Sequence, residues 1–248
     1  MNISRLLSVA PMMERTDRHC RYFFRLLSQQ TLLYSEMINA NAITKGNKTR
    51  LLNFSEIEHP LALQIGGSDP KLLAEATKIG VDWGYDEINL NVGCPSSRVS
   101  SGDFGAVLMK RKDHVAKCVD AMAQFSSNVP ISVKCRIAVD DQDPEKILPS
   151  FIKTVSNSGV SIFIIHARKA ILSGLSPKDN RKIPPIDYNL VKKIKAQFPK
   201  LEICLNGEIK DLSSVMNFIN DGINGCMIGR EVYKNPSKIL ENADEKIF

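Results

Sequence analysis

Eight short, almost continuously apolar runs punctuate the chain, and they restrict its possible folds more than any other feature. They are LLSVAPM (6–12), TLLYSEMI (31–38), LALQIG (61–66), EINLNV (87–92), VPISVKCRI (129–137), SIFIIHA (161–167), LEICLNG (201–207) and GCMIGR (225–230). Strands this apolar are buried on both faces, as in a parallel sheet covered by helices. The segments between them supply the cover. SDPKLLAEATKIG offers Asp69 as an N-cap, Pro70 in the first turn and Gly80 as the end, with an apolar stripe of Leu72, Leu73, Ala76 and Ile79. Val115, Val119 and Met122 repeat at helical spacing, as do Val191, Ile194 and Phe198, and then Leu212, Val215, Met216 and Ile219. Eight such units in 248 residues predict an α/β fold of the (β/α)8 TIM-barrel type, one domain over 1–248. A doubly wound open sheet is the alternative, weakened because no G-x-G-x-x-G follows the first strand. No linker, low-complexity tract or second-domain boundary interrupts the pattern.

Composition narrows the setting. A net charge of +6 permits a polyanionic partner without requiring one. Cys20, Cys94, Cys118, Cys135, Cys204 and Cys226 contain no CxxC pair, and their spacing fits neither a zinc site nor a disulfide-rich secreted module. No metal is expected. MNISRLLSVAPMMERTDRHC is too short in apolar residues and too polar for a signal peptide, and no run approaches the roughly 18 apolar residues of a membrane span. These features predict a cytoplasmic protein with no membrane contact. The sequence does not fix the oligomeric state, and a monomer is favoured.

Barrel enzymes place their chemistry at the carboxyl ends of the strands. Reading those ends gives Pro11, Met12 and Met13; Glu36; Gln64 with Gly66 and Gly67; Asn89, Asn91 and Cys94; Lys134 and Arg136; His166 and Arg168; Asn206, Gly207 and Glu208; and Gly229 with Arg230. Each has a bland explanation alone: a lone His166 reads as a core histidine, and Gly-Arg as a turn. Polar groups at the same end of so many strands are harder to dismiss. Glycines at the last two strand ends let backbone N–H groups approach an anion, and an arginine can grip it. Gln64 donates and accepts, as the pyrimidine edge of a flavin requires. Lys134 would place positive charge beside the electron-rich N1–C2=O region of a reduced flavin. An amide, a lysine and a phosphate grip together point to an FMN site.

Several blocks carry a resemblance: SVAPMMERTDRHCRYFFRLLS, LALQIGGSDP, YDEINLNVGCPSSRV, GDFGAVLMK, VKCRIAVDDQD, FIIHARKAILSGLSPKDNRKIPP and GCMIGREVYKNP. In order and without large gaps from about residue 7 onward, the chain resembles the tRNA-dihydrouridine synthases, most closely their bacterial DusA branch. The resemblance implies FMN as cofactor, NADPH or NADH as reductant, and tRNA as partner. It implies reduction of the uridine C5–C6 bond in the D-loop, at positions 20 and 20a for this branch. Hydride passes to C6, and Cys94 of the NVGCP block protonates C5. It places FMN contacts at Pro11, Met12, Met13, Gln64, Lys134, His166, Asn206, Gly207, Glu208, Gly229 and Arg230. Substrate contacts fall at Asn91, Lys178 and Arg181. SSRVSSGDFGA, rich in Ser and Gly, reads as a loop that closes over substrate.

Three departures matter. The chain stops at ENADEKIF, so the expectation is a barrel lacking most or all of the family's C-terminal helical tRNA-binding domain. Glu208 stands where the family carries glycine, beside the expected phosphate. If that position needs positive φ, a side chain there costs about 1–3 kcal/mol. Ala138 also replaces a usual glycine. Two other functions stay open at this stage. One is a non-catalytic tRNA-binding or tRNA-folding protein with weakened flavin affinity, which Glu208 and the short chain favour. The other is a flavin barrel acting on a free pyrimidine, like a dihydroorotate dehydrogenase, which the basic SPKDNRK loop argues against.

Overall fold

The computed structural model describes residues 3–248, apart from the side chain of Arg98, and all eight runs form strands. They are β1 (Leu7–Val9), β2 (Leu33–Asn39), β3 (Leu61–Gly66), β4 (Glu87–Val92), β5 (Ile131–Arg136), β6 (Ile162–His166), β7 (Glu202–Asn206) and β8 (Gly225–Ile228). All pair in parallel, in sequence order from β2 to β8, and β1 pairs with β8. The ring closes through Leu32, whose carbonyl accepts from Val9 N at 2.9 Å and whose N–H donates to Leu7 O at 3.1 Å. A closed barrel results, and the open-sheet alternative falls. β1 is shorter than the run from 6 to 12, because Pro11 has no N–H with which to extend the ladder.

Side chains alternate between two cores. Inward positions form a small one with Ala10, Tyr34, Ala62, Ile164, Cys204 and Met227. Outward positions such as Leu63, Ile88, Leu90, Val133, Phe163 and Leu205 join the helices in a much larger one. A strand inside a barrel is thus apolar outward by necessity, while its inward face is free to be polar.

The helix Pro70–Asp82 starts as expected, with Asp69 Oδ1 accepting from Lys71 N at 2.8 Å and Leu72 N at 3.1 Å. It runs two residues past Gly80. A Cβ at Gly80 would meet Leu63 Cδ2 at 2.7 Å and Ile88 Cδ1 at 2.8 Å, so this glycine marks close contact between helix and sheet rather than a helix end. The stripes at 115–122 and 191–194 are buried in Lys112–Ala123 and Tyr188–Gln197. In Leu212–Asn220, Val215 is buried but Met216 is exposed, a correction to that stripe.

Two long helices escaped the sequence reading. Pro144–Ser156 buries Leu148, Phe151, Ile152 and Val155 after an Asp143 N-cap. Arg18–Leu27 buries two arginines instead: Arg21 pairs with Glu58 at 2.7 Å, and Arg25 donates to the carbonyls of Ser28, Thr31, Glu58 and Pro60. The segment after Cys94 is not an irregular loop. It forms a short helix, Ser97–Ser101, then a 3-10 turn, Gly105–Lys110. Among the described residues, no helix is long and apolar enough to cross a membrane.

Candidate active site

Inward alternation and the barrel's stagger decide which side chains meet at the carboxyl end. The register sets Gln64 opposite Asn89, Asn91 opposite Lys134, Arg136 opposite His166, and His166 opposite Asn206. Seven strand-borne polar residues thereby share one end of the barrel.

On the β3–β4 side the groups are neutral amides that satisfy one another. Gln64 Nε2 donates to Asn89 Oδ1 at 2.7 Å, and Asn91 Nδ2 donates to Gln64 Oε1 at 2.8 Å. Asn91 Oδ1 accepts from Gly93 N at 3.1 Å and from Cys94 N at 3.0 Å. These bonds fold the chain back just after β4 and hold the cysteine at the rim. Cys94 O accepts from Ala106 N at 2.9 Å, which pins the following turn beneath it. The thiol is half-buried and lies near Lys134, Arg136 and Arg181.

On the β5–β8 side the groups are cationic. Lys134 Nζ donates to Asn206 Oδ1 at 2.9 Å, and Asn206 Nδ2 donates to Met227 O at 2.8 Å. Burial, helped by Arg136, pushes Lys134 down to about 8. Burial, then Arg136 and Lys134, holds His166 well below its ordinary range, so its ring is neutral at pH 7. Its buried Nδ1 has no partner among the described residues, nor has Arg181 Nε. Arg136, pushed down to about 10 by burial, has no carboxylate partner among the described residues. It donates to Gly93 O at 3.1 Å, Lys169 O at 3.2 Å and Asn180 O at 3.1 Å, tying the Cys94 turn to the loop after β6. Unpaired buried donors and uncompensated positive charge fit an anionic ligand with a planar, hydrogen-bonding body. A flavin phosphate and its pyrimidine edge have this chemistry.

Glu208 does sit in the left-handed region, at φ +51°, after Gly207 at φ +126°. Its carboxylate pairs with Arg168 Nη2 at 2.6 Å. The expected repulsion of a phosphate is therefore absorbed by an arginine from the neighbouring strand end. Tyr188 OH donates to Gly207 O at 2.6 Å and braces the same turn. Ala138 is buried outside the left-handed region, so its replacement of glycine strains nothing.

The remaining sequence-predicted residues divide. Gly229 lies beside Met12, since a Cβ there would stand 3.7 Å from Met12 Sδ. Arg230 Nη2 donates to Arg181 O at 3.4 Å, which brings both to the mouth. Pro11 is half-buried, while Met13 and Lys178 are exposed and reach none of these groups. Sequence reasoning assigned no role to Arg136, Arg168 or Asn180. The inward parity of Arg136 on β5 was a usable signal. Asn180 gave none: fully buried, it bonds Ile171 N and O and shapes the loop carrying Arg181.

The model of the dihydrouridine synthase family matches residues 8–248. A tRNA-dihydrouridine(20/20a) synthase of Synechocystis sp. is 54% identical over 242 residues, covering 98% of this chain and 72% of that protein. The one from Escherichia coli K12 is 55% identical, covering 97% and 69%. Among solved structures, morphinone reductase superposes with a TM-score of 0.66 at 11% identity, over 98% of this chain and 88% of that one. At that identity the likeness speaks for the barrel alone.

Proposed function

The chain belongs to the dihydrouridine synthase family, a flavin-dependent family, and on that premise we propose that it is a tRNA-dihydrouridine(20/20a) synthase using FMN and NADPH or NADH. The observation that carries the reading is the pairing of a cationic half-mouth holding unpartnered donors with a thiol fixed at the rim beside it. Bound and reduced, the flavin supplies the hydride that adds to uridine C6. Cys94 gives its proton to C5, and the two additions saturate the double bond. Asn91 holds the turn that presents the thiol. Lys134 and neutral His166 would hold the cofactor ring, and Gln64 would serve its pyrimidine edge. The Asn206–Glu208 turn, Gly229 and Arg230 would hold the phosphate, and Pro11, Met12 and the more exposed Met13 would border the flavin. Arg181 and exposed Lys178 meet tRNA phosphates, in keeping with the +6 charge. The target base must leave its stack to enter the barrel, at a cost of a few kcal/mol. The protein works as one catalytic barrel over 1–248 in the cytoplasm, where its substrate is made, and as a monomer.

A non-catalytic RNA binder needs neither an inward, half-buried lysine nor a cysteine held by two backbone bonds. The Arg168–Glu208 pair also removes the main objection to flavin binding. The test is a visible spectrum of the protein titrated with FMN, followed by tRNA reduction with Cys94→Ala. A shifted flavin spectrum, with turnover reduced at least about a hundredfold by the substitution, is expected. No flavin binding at saturation overturns the proposal.

A further inference from the structure

Below the mouth runs a buried polar chain whose lower members, Glu87, Ser132 and Asn89, have no part in the mechanism above. At its far end lies Glu87, fully buried, accepting from Arg5 Nε at 2.7 Å, from Tyr34 OH at 2.6 Å and from Ser132 Oγ. Ser132 Oγ accepts in turn from Asn89 Nδ2 at 2.7 Å. Asn89 Oδ1 accepts from Gln64 Nε2, Gln64 Oε1 from Asn91 Nδ2, and Asn91 Oδ1 from the N–H groups of Gly93 and Cys94.

The direction of this chain is not arbitrary. A carboxylate facing an arginine only accepts, and a backbone N–H only donates. With both ends fixed, the hydroxyl and all three amides between them have one consistent orientation. Reversing any single amide sets two donors or two acceptors face to face in a dry interior, leaving buried polar groups unmet. The buried carboxylate at the base of the barrel thus sets which way each amide points at its mouth.

We propose that Glu87, Ser132 and Asn89 are positioning residues for Cys94, acting through Asn91, with the polarity of the relay set by Glu87. The reaction they serve is the one proposed for Cys94 above. Nothing flows along the relay; its work is to keep Asn91 Oδ1 turned toward the Cys94 turn.

Ser132→Ala cuts the relay at its midpoint and leaves both ends in place. Two measurements follow on the whole protein: amide hydrogen exchange of Gly93 and Cys94, and steady-state tRNA reduction. In Ser132→Ala both amides should exchange at least about tenfold faster at an unchanged melting temperature. The kcat should fall about tenfold with KM for tRNA unchanged, as for loss of orientation rather than binding. Ser132→Thr, which keeps the hydroxyl, should restore both. Unchanged exchange overturns the relay whatever the activity does, and faster exchange with unchanged kcat overturns its role in the reaction. Should the wild-type protein reduce no tRNA, the relay is still judged by exchange, and only the reading of Cys94 fails. Ser132→Cys, a weak donor, replaces the alanine variant if that does not fold, under the same outcomes.

Discussion

The two halves of the barrel mouth are built on opposite principles. Between β3 and β4, Gln64, Asn89 and Asn91 spend their hydrogen bonds on one another and on the Cys94 turn. Between β5 and β8, Lys134, Arg136, His166 and Arg181 bring charge or open nitrogen atoms with little to meet them. A satisfied network fixes geometry, whereas an unsatisfied one stores affinity for whatever completes it. One half therefore aims a group that the chain already owns. The other waits for a group that the chain does not contain.

The contrast can be broken from either side. The largest effect is expected at Lys134. Lys134→Met should weaken FMN binding about a hundredfold in a spectral titration, since a desolvated charge is lost opposite an anion. The same variant should be more stable to urea without cofactor. Burial holds the folded Lys134 at about 8 against 10.5 when unfolded, so the cost of its buried charge is fully present below pH 8. The unfolded chain binds more protons between those values, so wild-type stability rises across that window and the variant's advantage fades toward pH 10.5. A variant less stable at pH 7 would show that Lys134 holds the barrel together instead.

Asn91→Ala comes next and sharpens the contrast. It should lower kcat about tenfold while leaving FMN affinity within about twofold, because it loosens the thiol and not the cofactor. Equal losses in both would merge the two halves into one site. The smallest effect is at Glu208. Glu208→Gly relieves a left-handed side chain, worth about 1 kcal/mol, and gives up one partly exposed ion pair of similar size. Melting temperature should hardly move. Arg168, freed from its carboxylate, should tighten FMN binding about threefold. Weaker binding would mean that Glu208 organises the phosphate turn rather than occupying an arginine.

The sequence yielded the barrel because its strands are apolar on their outward face, and that face dominates the pattern. It concealed the relay for the same reason. EINLNV alternates strictly between polar and apolar residues; Asn89 and Asn91 read as strand-end groups, but with both faces buried nothing joined them to Glu87 as one inward row. The helix Arg18–Leu27 was hidden because Arg21 and Arg25 occupy its buried face, paired with groups more than thirty residues away. Gly80 was misread because a packing contact across the chain looks, in one dimension, like a stop. The residues of the mouth were legible by parity and strand position. The pairing of Glu208 with Arg168 was not, since it joins two loops whose proximity only the closed ring creates.

That ring also sets an order of events while the chain is being synthesised. Leu7 pairs with Cys226 and Val9 with Ile228, so the first strand waits for the last. Arg5 can reach Glu87 early, but its second carboxylate, Glu202, emerges far later. Until the ribosome has released β8, the protein is an unclosed ribbon with a free edge at each side, the kind of edge that recruits other chains. The lysines and arginines of the mouth then have no barrel around them, in a cell full of RNA. A nascent chain of this fold meets nucleic acid before it has a pocket in which to hold it.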